Sequence, residues 1–374
     1  MALNDNEEQE GQAGPQEDRE SQNEKKLRFL RAALYFAFGA FMLLWIVAFL
    51  QGCAPRTSTA RNNRVVLYCS VDEVYAKPLI QKLELQTGLQ IDALFDTEAT
   101  KTAGLANRIR AERDRPRADV FWSSALLQTL LMSEEKLLLP YSSASTKDLP
   151  SQFVGKDWAG VGTRARVLLS SQPEKDPLFP FDRRLFTRRI GISNPQFGTA
   201  SDWATALSLR AGEKRARTWP EGEGFFRQLR RGGVRVLPGN GDVARSVADG
   251  ILRYGWSDSD DFLSQKRQKK PIYLAKTLQG NVLIPGAASI LKNSPNPEGA
   301  KLLFDAIVSA QNEANLVKQM PGVFSLRHLN EKSNFQSGGV DFSFLMNAPR
   351  DDYSKWPATW RKIREPLNQI FASK

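Results

Sequence analysis

Two groups of polar residues in this chain could do chemistry together. Asp258, Asp260 and Asp261 stand in the run Ser257-Asp258-Ser259-Asp260-Asp261. They are three hard oxygen donors that suit a hard cation or the ammonium of an organic ligand. The same run also fits Asx-turn and N-cap chemistry ahead of a helix at Phe262. Arg166 is the opposite partner: a guanidinium grips a carboxylate, carbonate or phosphate through two parallel hydrogen bonds. Helix starts at Gly198-Thr199-Ala200-Ser201 and at Gly239-Asn240-Gly241-Asp242 would add backbone donors and positive potential. Ser201 and Asp242 equally suit plain helix capping. Arg166 set across a cleft from the acidic run would suit a zwitterion such as an aminophosphonate.

Other chemistry is excluded by composition. The 374 residues include one His and two Cys. A zinc site of His and Cys, a Ser-His-Asp triad with a spare His and a disulfide scaffold are therefore not expected. His328 has no companion metal ligand and is taken as structural. Paired acids alone do not assemble a nucleophile, a base and an oxyanion site. The chain is expected not to be an enzyme and to use no catalytic cofactor. A hydrophobic fraction of 41% and 25% charged residues are ordinary globular values, and the length suits two domains.

Residues 1–52 form an acidic tail followed by a signal or anchor. A basic cluster (Lys25, Lys26, Arg28, Arg31) precedes the uncharged segment Ala32 to Leu50, which ends at Leu50-Gln51-Gly52-Cys53. That pattern resembles a bacterial lipobox, with Cys53 lipidated. The alternative is an uncleaved membrane helix. Both put the body on the periplasmic side of a bacterial membrane, tethered by lipid or helix. Residues 1–52 carry five Lys/Arg and eight Asp/Glu, which leaves the remainder near +14 against a total of +11. Nucleic acid is not expected, because the basic runs carry no interleaved aromatics and the body is exported.

Beyond a linker at residues 53–63, strands and helices alternate. Arg64–Ser70, Leu89–Phe95 and Ala118–Trp122 predict strands, and 75–86 and 101–114 predict helices. Pro78 is placed in the first turn of its helix and Gly88 at its end. The order predicts a parallel sheet with right-handed crossovers, with ligand beyond the carboxyl ends of strands. Those ends are Cys69-Ser70, with Asp72 just after, Phe95-Asp96-Thr97, and Ser123-Ser124, the last two serines neutral hydrogen-bond donors. Strands are also predicted at 161–169, 234–237, 251–256 and 280–292, and helices from Phe197 to Arg210, Val243 to Ala248 and Pro297 to Ala310. Glu98 with Lys101 is taken as a surface pair, and Tyr68 as core.

The segments LYCSVDEVYAKPLIQKLELQTGLQID, PRADVFWSS, WAGVGTRARVLL, FGTASDWATAL, GVRVLPGNGDVARSVADG and NSPNPEGAKLLFDAIVS resemble, in this order, the periplasmic ferric-ion-binding proteins. Those are the substrate-binding components of ABC importers. The resemblance spans about residues 64–325. It implies an α/β fold of two lobes joined by two hinge-crossing strands. Lobe 1 would hold residues 64–165 and 275–325, and lobe 2 residues 166–274. Residues 326–374 would pack across a lobe. It also implies permease and ATPase partners, a monomeric chain and ferric ion as transported ligand; Asp258, Asp260 and Asp261 are candidate metal ligands by their oxygen chemistry, not by the resemblance. The ligand site would use Cys69, Ser70, Asp72, Ser123, Ser124, Arg166, Gly198, Thr199, Ala200 and Asn240, with Arg166 and the helix starts at Gly198-Thr199-Ala200 and Asn240 on its anion side. The family's Tyr pair, expected just after Trp256, is absent, as are its His near Asp72 and its Glu near Gly104. A phosphonate, a phosphorylated small molecule or an organic cation is the alternative ligand. A membrane-tethered ligand sensor is the alternative of another class.

Overall fold

The computed structural model describes residues 63–96, 103–176, 178, 183–212, 222–275, 277 and 281–372, with 28–30, 36, 38, 39 and 42. The chain divides into two compact units, Met1–Arg61 and Asn62–Lys374, and every strand among the described residues belongs to the second. Cys53, Glu98 and Lys101 lie outside the described residues. No helix among the described residues is long and apolar enough to cross a membrane.

The first strands are short apolar runs. β1 (Arg64–Cys69) is rich in β-branched residues and buried toward its end. It pairs in parallel with β2 (Gln90–Phe95) and with β3 (Val120–Ser123). Between β1 and β2 lies α1 (Glu73–Thr87), closed by left-handed Gly88, whose N–H bonds the Glu84 carbonyl. Because α1 starts at Glu73, Pro78 falls in its second turn. Between β2 and β3 lies α2 (Ala103–Ala111), and α3 (Leu127–Glu134) follows β3.

The far half repeats this style. β5 (Ile190–Ser193), α4 (Gly198–Gly212), α5 (Gly222–Arg231), β6 (Arg235–Leu237), α6 (Asn240–Ala248) and β7 (Tyr254–Asp258) alternate, and β5 pairs in parallel with both β6 and β7. Then come α7 (Ser259–Arg267) and the short β8 (Tyr273–Ala275).

Two long strands join the halves. β4 (Ala159–Ser170) and β9 (Val282–Ile290) are buried along their whole length and pair antiparallel with each other. At one end β9 pairs with β3; at the other β4 pairs with β7 and β8. The full order is β2-β1-β3-β9-β4-β7-β5-β6, so two parallel flanks meet on an antiparallel centre. These are the two hinge-crossing strands of a two-lobed fold.

The register of β4 on β9 shifts between Gly160 and Thr163, a bulge that bends the strand. Gly162 sits there at φ 64, where a side chain is disfavoured, and an added Cβ would approach Val323 and Leu316 to about 3.0 Å. Buried Glu313 holds the bulge, accepting from the Gly162 and Leu326 N–H groups at 3.0 and 2.9 Å and from Arg327 Nη1 at 3.0 Å. It stands in α9 (Ala310–Gln319), which follows α8 (Pro297–Ile307).

The last segment contains a two-strand ribbon, β10 (Gln336–Ser337) with β11 (Val340–Asp341), and α10 (Trp356–Ala372). Trp356, Trp360, Leu367 and Ile370 form the buried stripe of α10. This helix packs on α4, α5 and α3, so it touches elements from both flanks of the sheet.

Candidate functional site

The register of β4 on β7 makes Arg166 and Asp258 direct cross-strand partners. Both are fully buried, with Arg166 Nε 3.2 Å from Asp258 Oδ1. Two helix starts are tied into the same network. Arg166 donates from Nη1 to Asn240 Oδ1 (2.8 Å) and the Trp256 carbonyl (3.3 Å), and from Nη2 to Thr199 Oγ1 (2.8 Å). The Thr199 hydroxyl donates to Asp258 Oδ2, and Asn240 Nδ2 donates to Asp258 Oδ2 (2.9 Å) and Thr199 Oγ1 (2.7 Å). Ser193 donates to Asn240 Oδ1. The guanidinium also lies 5.6 Å over the Trp203 ring. Burial lowers the Arg166 pKa, against the pull of Asp258.

This corrects the expectation for Arg166. It does not face the cleft. It is a buried tie that fixes the first residues of α4 and α6 against the end of β7. Asp258 is corrected with it, because its carboxylate is taken up by Arg166, Thr199 and Asn240. Oxygens of Asp258, Asp260 and Asp261 do come within 4.8 Å of one another. The run that holds them is not a loop: Ser257 and Asp258 finish β7, and Ser259 opens α7. The expected pairing of Arg166 with a ligand and of Asp258 with its opposite charge is spent inside the protein.

Above this network lies a cavity of about 240 Å³. Of the expected residues, Asp72, Ser124, Gly198, Thr199, Asn240, Asp260 and Asp261 line it. The lining therefore includes residues that follow β1 and β3 on one flank and β5 and β7 on the other. Ser70 is buried beside it, accepting from the Ser124 N–H at 2.9 Å, and borders a neighbouring acidic recess with Asp72, Asp96, Asp260 and Asp261. Three expectations are corrected by burial. Cys69 packs in the hydrophobic core, Ala200 is buried in α4, and Ser123 turns its hydroxyl to the Ala125 carbonyl. Helix capping by Ser201 and Asp242 is not formed either. Ser201 donates back to the Gly198 carbonyl, Asp242 pairs with Arg245, and α6 follows Gly239 with no side-chain cap.

Arg164 and Arg245 line the cavity and were missed. Strand alternation puts Arg164 and Arg166 on one face of β4, so the two-residue spacing in RAR was the available signal. Arg164 is about 7% exposed. Its Nη1 stands 3.5 Å from Asp260 Oδ2 and its Nη2 3.9 Å from the Met320 sulfur. Burial works against its charge, but Asp260, Asp258, Asp72 and Asp261 together raise its pKa. Unlike Arg166, it makes no hydrogen bond to an oxygen among the described residues. Arg245 is exposed at the rim, 2.9 Å from Asp242. No Tyr, His or Cys is among the lining residues. Tyr68 is a core residue, its phenol pushed up to about 12 by burial and by hydrogen bonding to Glu112. His328 pairs at the surface with Glu331 at 2.8 Å.

No protein-family model matches the chain. A curated relative, the major ferric iron-binding protein of Neisseria meningitidis, is 20% identical over 279 residues, which cover 71% of this chain and 82% of the relative. Among solved structures, iron-bound HitA from Pseudomonas aeruginosa superposes with a TM-score of 0.67 at 17% identity, over 82% of this chain and 99% of that one. AfuA from Actinobacillus pleuropneumoniae, with exogenous fructose-6-phosphate bound, gives a TM-score of 0.67 at 20% identity, over 82% and 97%. The resemblance found in the sequence is therefore met by the fold, and the chain has the two-lobed architecture of the periplasmic binding proteins.

Proposed function

We propose that the chain is the extracytoplasmic solute-binding component of an ABC importer, and that its cavity takes the oxyanion of a small phosphorylated molecule. The observation that carries this reading is the convergence of donors on one cavity. The starts of α4 and α6, the latter with no side-chain cap, meet there with the underused guanidinium of Arg164. Helix starts and guanidinium groups are the usual holders of phosphate. Asp72, Asp260 and Asp261 line the same cavity, Asp260 beside Arg164, and would accept from hydroxyl or ammonium groups of the same ligand. The fold is shared with a protein solved with fructose-6-phosphate bound. Ligand held from both flanks would close the cleft about β4 and β9, the form that permease and ATPase partners would meet. The chain works as a monomer without catalysis, tethered through Cys53 or an amino-terminal helix on the periplasmic side.

Ferric ion is the second reading. It is favoured by the approach of Asp258, Asp260 and Asp261 and by the iron-binding relatives. It is weakened by the engagement of Asp258 with Arg166 and by a lining without Tyr or His. A thermal-shift comparison separates the two. Glucose 6-phosphate at 100 times its Kd should stabilise the chain by about 2.7 kcal/mol, with no shift from glucose. A shift with ferric citrate and none with any phosphate ester overturns the proposal.

A further inference from the structure

Asp202 has an unusual position for a carboxylate. It lies one turn into α4, fully buried, and reaches across to the other flank of the sheet. Its Oδ2 accepts the N–H groups of Leu126 and Leu127 at 2.7 and 3.2 Å, at the start of α3. Those residues closely follow Ser124, which lines the cavity, and α4 begins at Gly198 and Thr199, which line its opposite side. One side chain thus ties the two walls together beneath the ligand site.

Its other oxygen, Oδ1, is buried with no hydrogen-bond partner. No ion pair reaches Asp202 among the described residues. The charged groups that face it are Arg166 from β4 and Asp258 from β7, which already face each other. Tyr353, ahead of α10, also feels its charge. From α3 come only the backbone amides. A buried carboxylate with one empty oxygen and no cation of its own is better satisfied with a proton on that oxygen, while the other keeps both N–H groups. Burial pushes the Asp202 carboxyl up to about 7, with Asp258 adding to it and the two amides and Arg166 opposing.

We propose that Asp202 is a proton-carrying strut between the cleft walls. With Oδ1 protonated, α3 and α4 are held by a neutral link. When the proton leaves to solvent, the two N–H bonds strengthen, but an unpaired charge remains buried beside Asp258 and the fold as a whole loses stability. If the cavity takes an oxyanion, as proposed above, ligand bound one turn away draws this proton back on. The strut itself does not depend on that reading.

The test uses the full chain without ligand, comparing wild type with Asp202→Asn, whose amide reproduces the protonated form. A group raised in the folded state stabilises at low pH, and that stability is lost as pH rises toward the folded pKa. The ratio of folding constants, variant over wild type, should therefore rise about tenfold per pH unit between pH 5 and 7 and level off above. A ratio that does not change from pH 5 to 8 overturns the proposal. Should the variant not fold, infrared spectra of the wild type decide. A neutral-carboxyl band present at pH 5.5 must fade by pH 8.5, and its absence at pH 5.5 refutes the strut. Failure of phosphate binding with the pH-dependent ratio intact would count against the ligand reading alone.

Discussion

Removing Arg166 separates a structural tie from a ligand clamp. Arg166→Met keeps much of the side-chain volume but deletes the bonds to Asn240, Thr199 and the Trp256 carbonyl, and strands Asp258 in the interior. Breaking one partner of a buried ion pair costs about 3–5 kcal/mol. The loss should appear in a urea melt followed by tryptophan fluorescence. Trp203 stands 5.6 Å from the guanidinium and its ring is 5.2 Å from that of Trp256, so the reporters sit at the lesion. Adding Asp258→Leu removes the stranded charge. Asn240 and Thr199 still bond each other, and Ser193 still bonds Asn240, so the double variant should recover at least half the loss. The tie is refuted if Arg166→Met costs less than about 1 kcal/mol yet abolishes ligand binding, a small fraction of the cost of a broken buried pair. That result would put the guanidinium in the cleft.

Three further outcomes follow from the same geometry. Glu313→Ala should cost about 2–4 kcal/mol, because it leaves the buried Gly162 and Leu326 N–H groups without an acceptor, while Arg327 keeps Asp148 at 2.8 Å; a loss below about 1 kcal/mol in a urea melt contradicts this. Gly162→Ala, at φ 64, should cost about 1–2 kcal/mol by the same assay. In an alkaline difference spectrum Tyr68 should stay un-ionised through pH 11. Its folded pKa, near 12, lies above the unfolded one, so the stability it contributes is complete below pH 10 and lost as pH rises toward 12. A Tyr68→Phe chain with the same absorbance change at pH 11 as the wild type agrees with that, and a smaller change does not.

Much of the fold was legible because it is written in local periodicity. The run Arg64–Cys69 is apolar and β-branched, Gly88 marks a helix end, and the flanking β-α-β order follows from such signals. What escaped is non-local. Asp258 reads as a loop residue next to two serines and two aspartates. It finishes a strand because Arg166, distant in sequence, faces it in register. The same pairing removes Arg166 from the cleft and leaves Arg164 as the buried cation among those lining the cavity, a choice that strand alternation alone could not make. Cys69 was expected at the site, although it follows Val65 and Leu67 at two-residue spacing on a buried strand, a signal that points to the core where it lies. The helix Trp356–Ala372 shows its buried stripe at intervals of three and four, yet its partners on α3, α4 and α5 come from distant sequence. Asp202 reads as an ordinary polar helix residue, and only its reach to Leu126 and Leu127 gives it a role.

The acidic wall gives a sign test of the ligand's charge. Removing a like charge near the cavity by Asp260→Asn should strengthen binding of inorganic phosphate, which brings no sugar hydroxyl for Asp260 to hold, by about 1 kcal/mol, near fivefold. A loss of binding would mean that the wall holds a cation.

Isothermal titration of the full chain with glucose 6-phosphate, and separately with ferric citrate and bicarbonate, decides what the cavity holds. Saturable binding of the phosphate ester is expected, weakened at least about tenfold by Arg164→Met through loss of a charge-assisted hydrogen bond. Saturable ferric binding, with no heat from the phosphate ester and no effect of Arg164→Met, would contradict the oxyanion site.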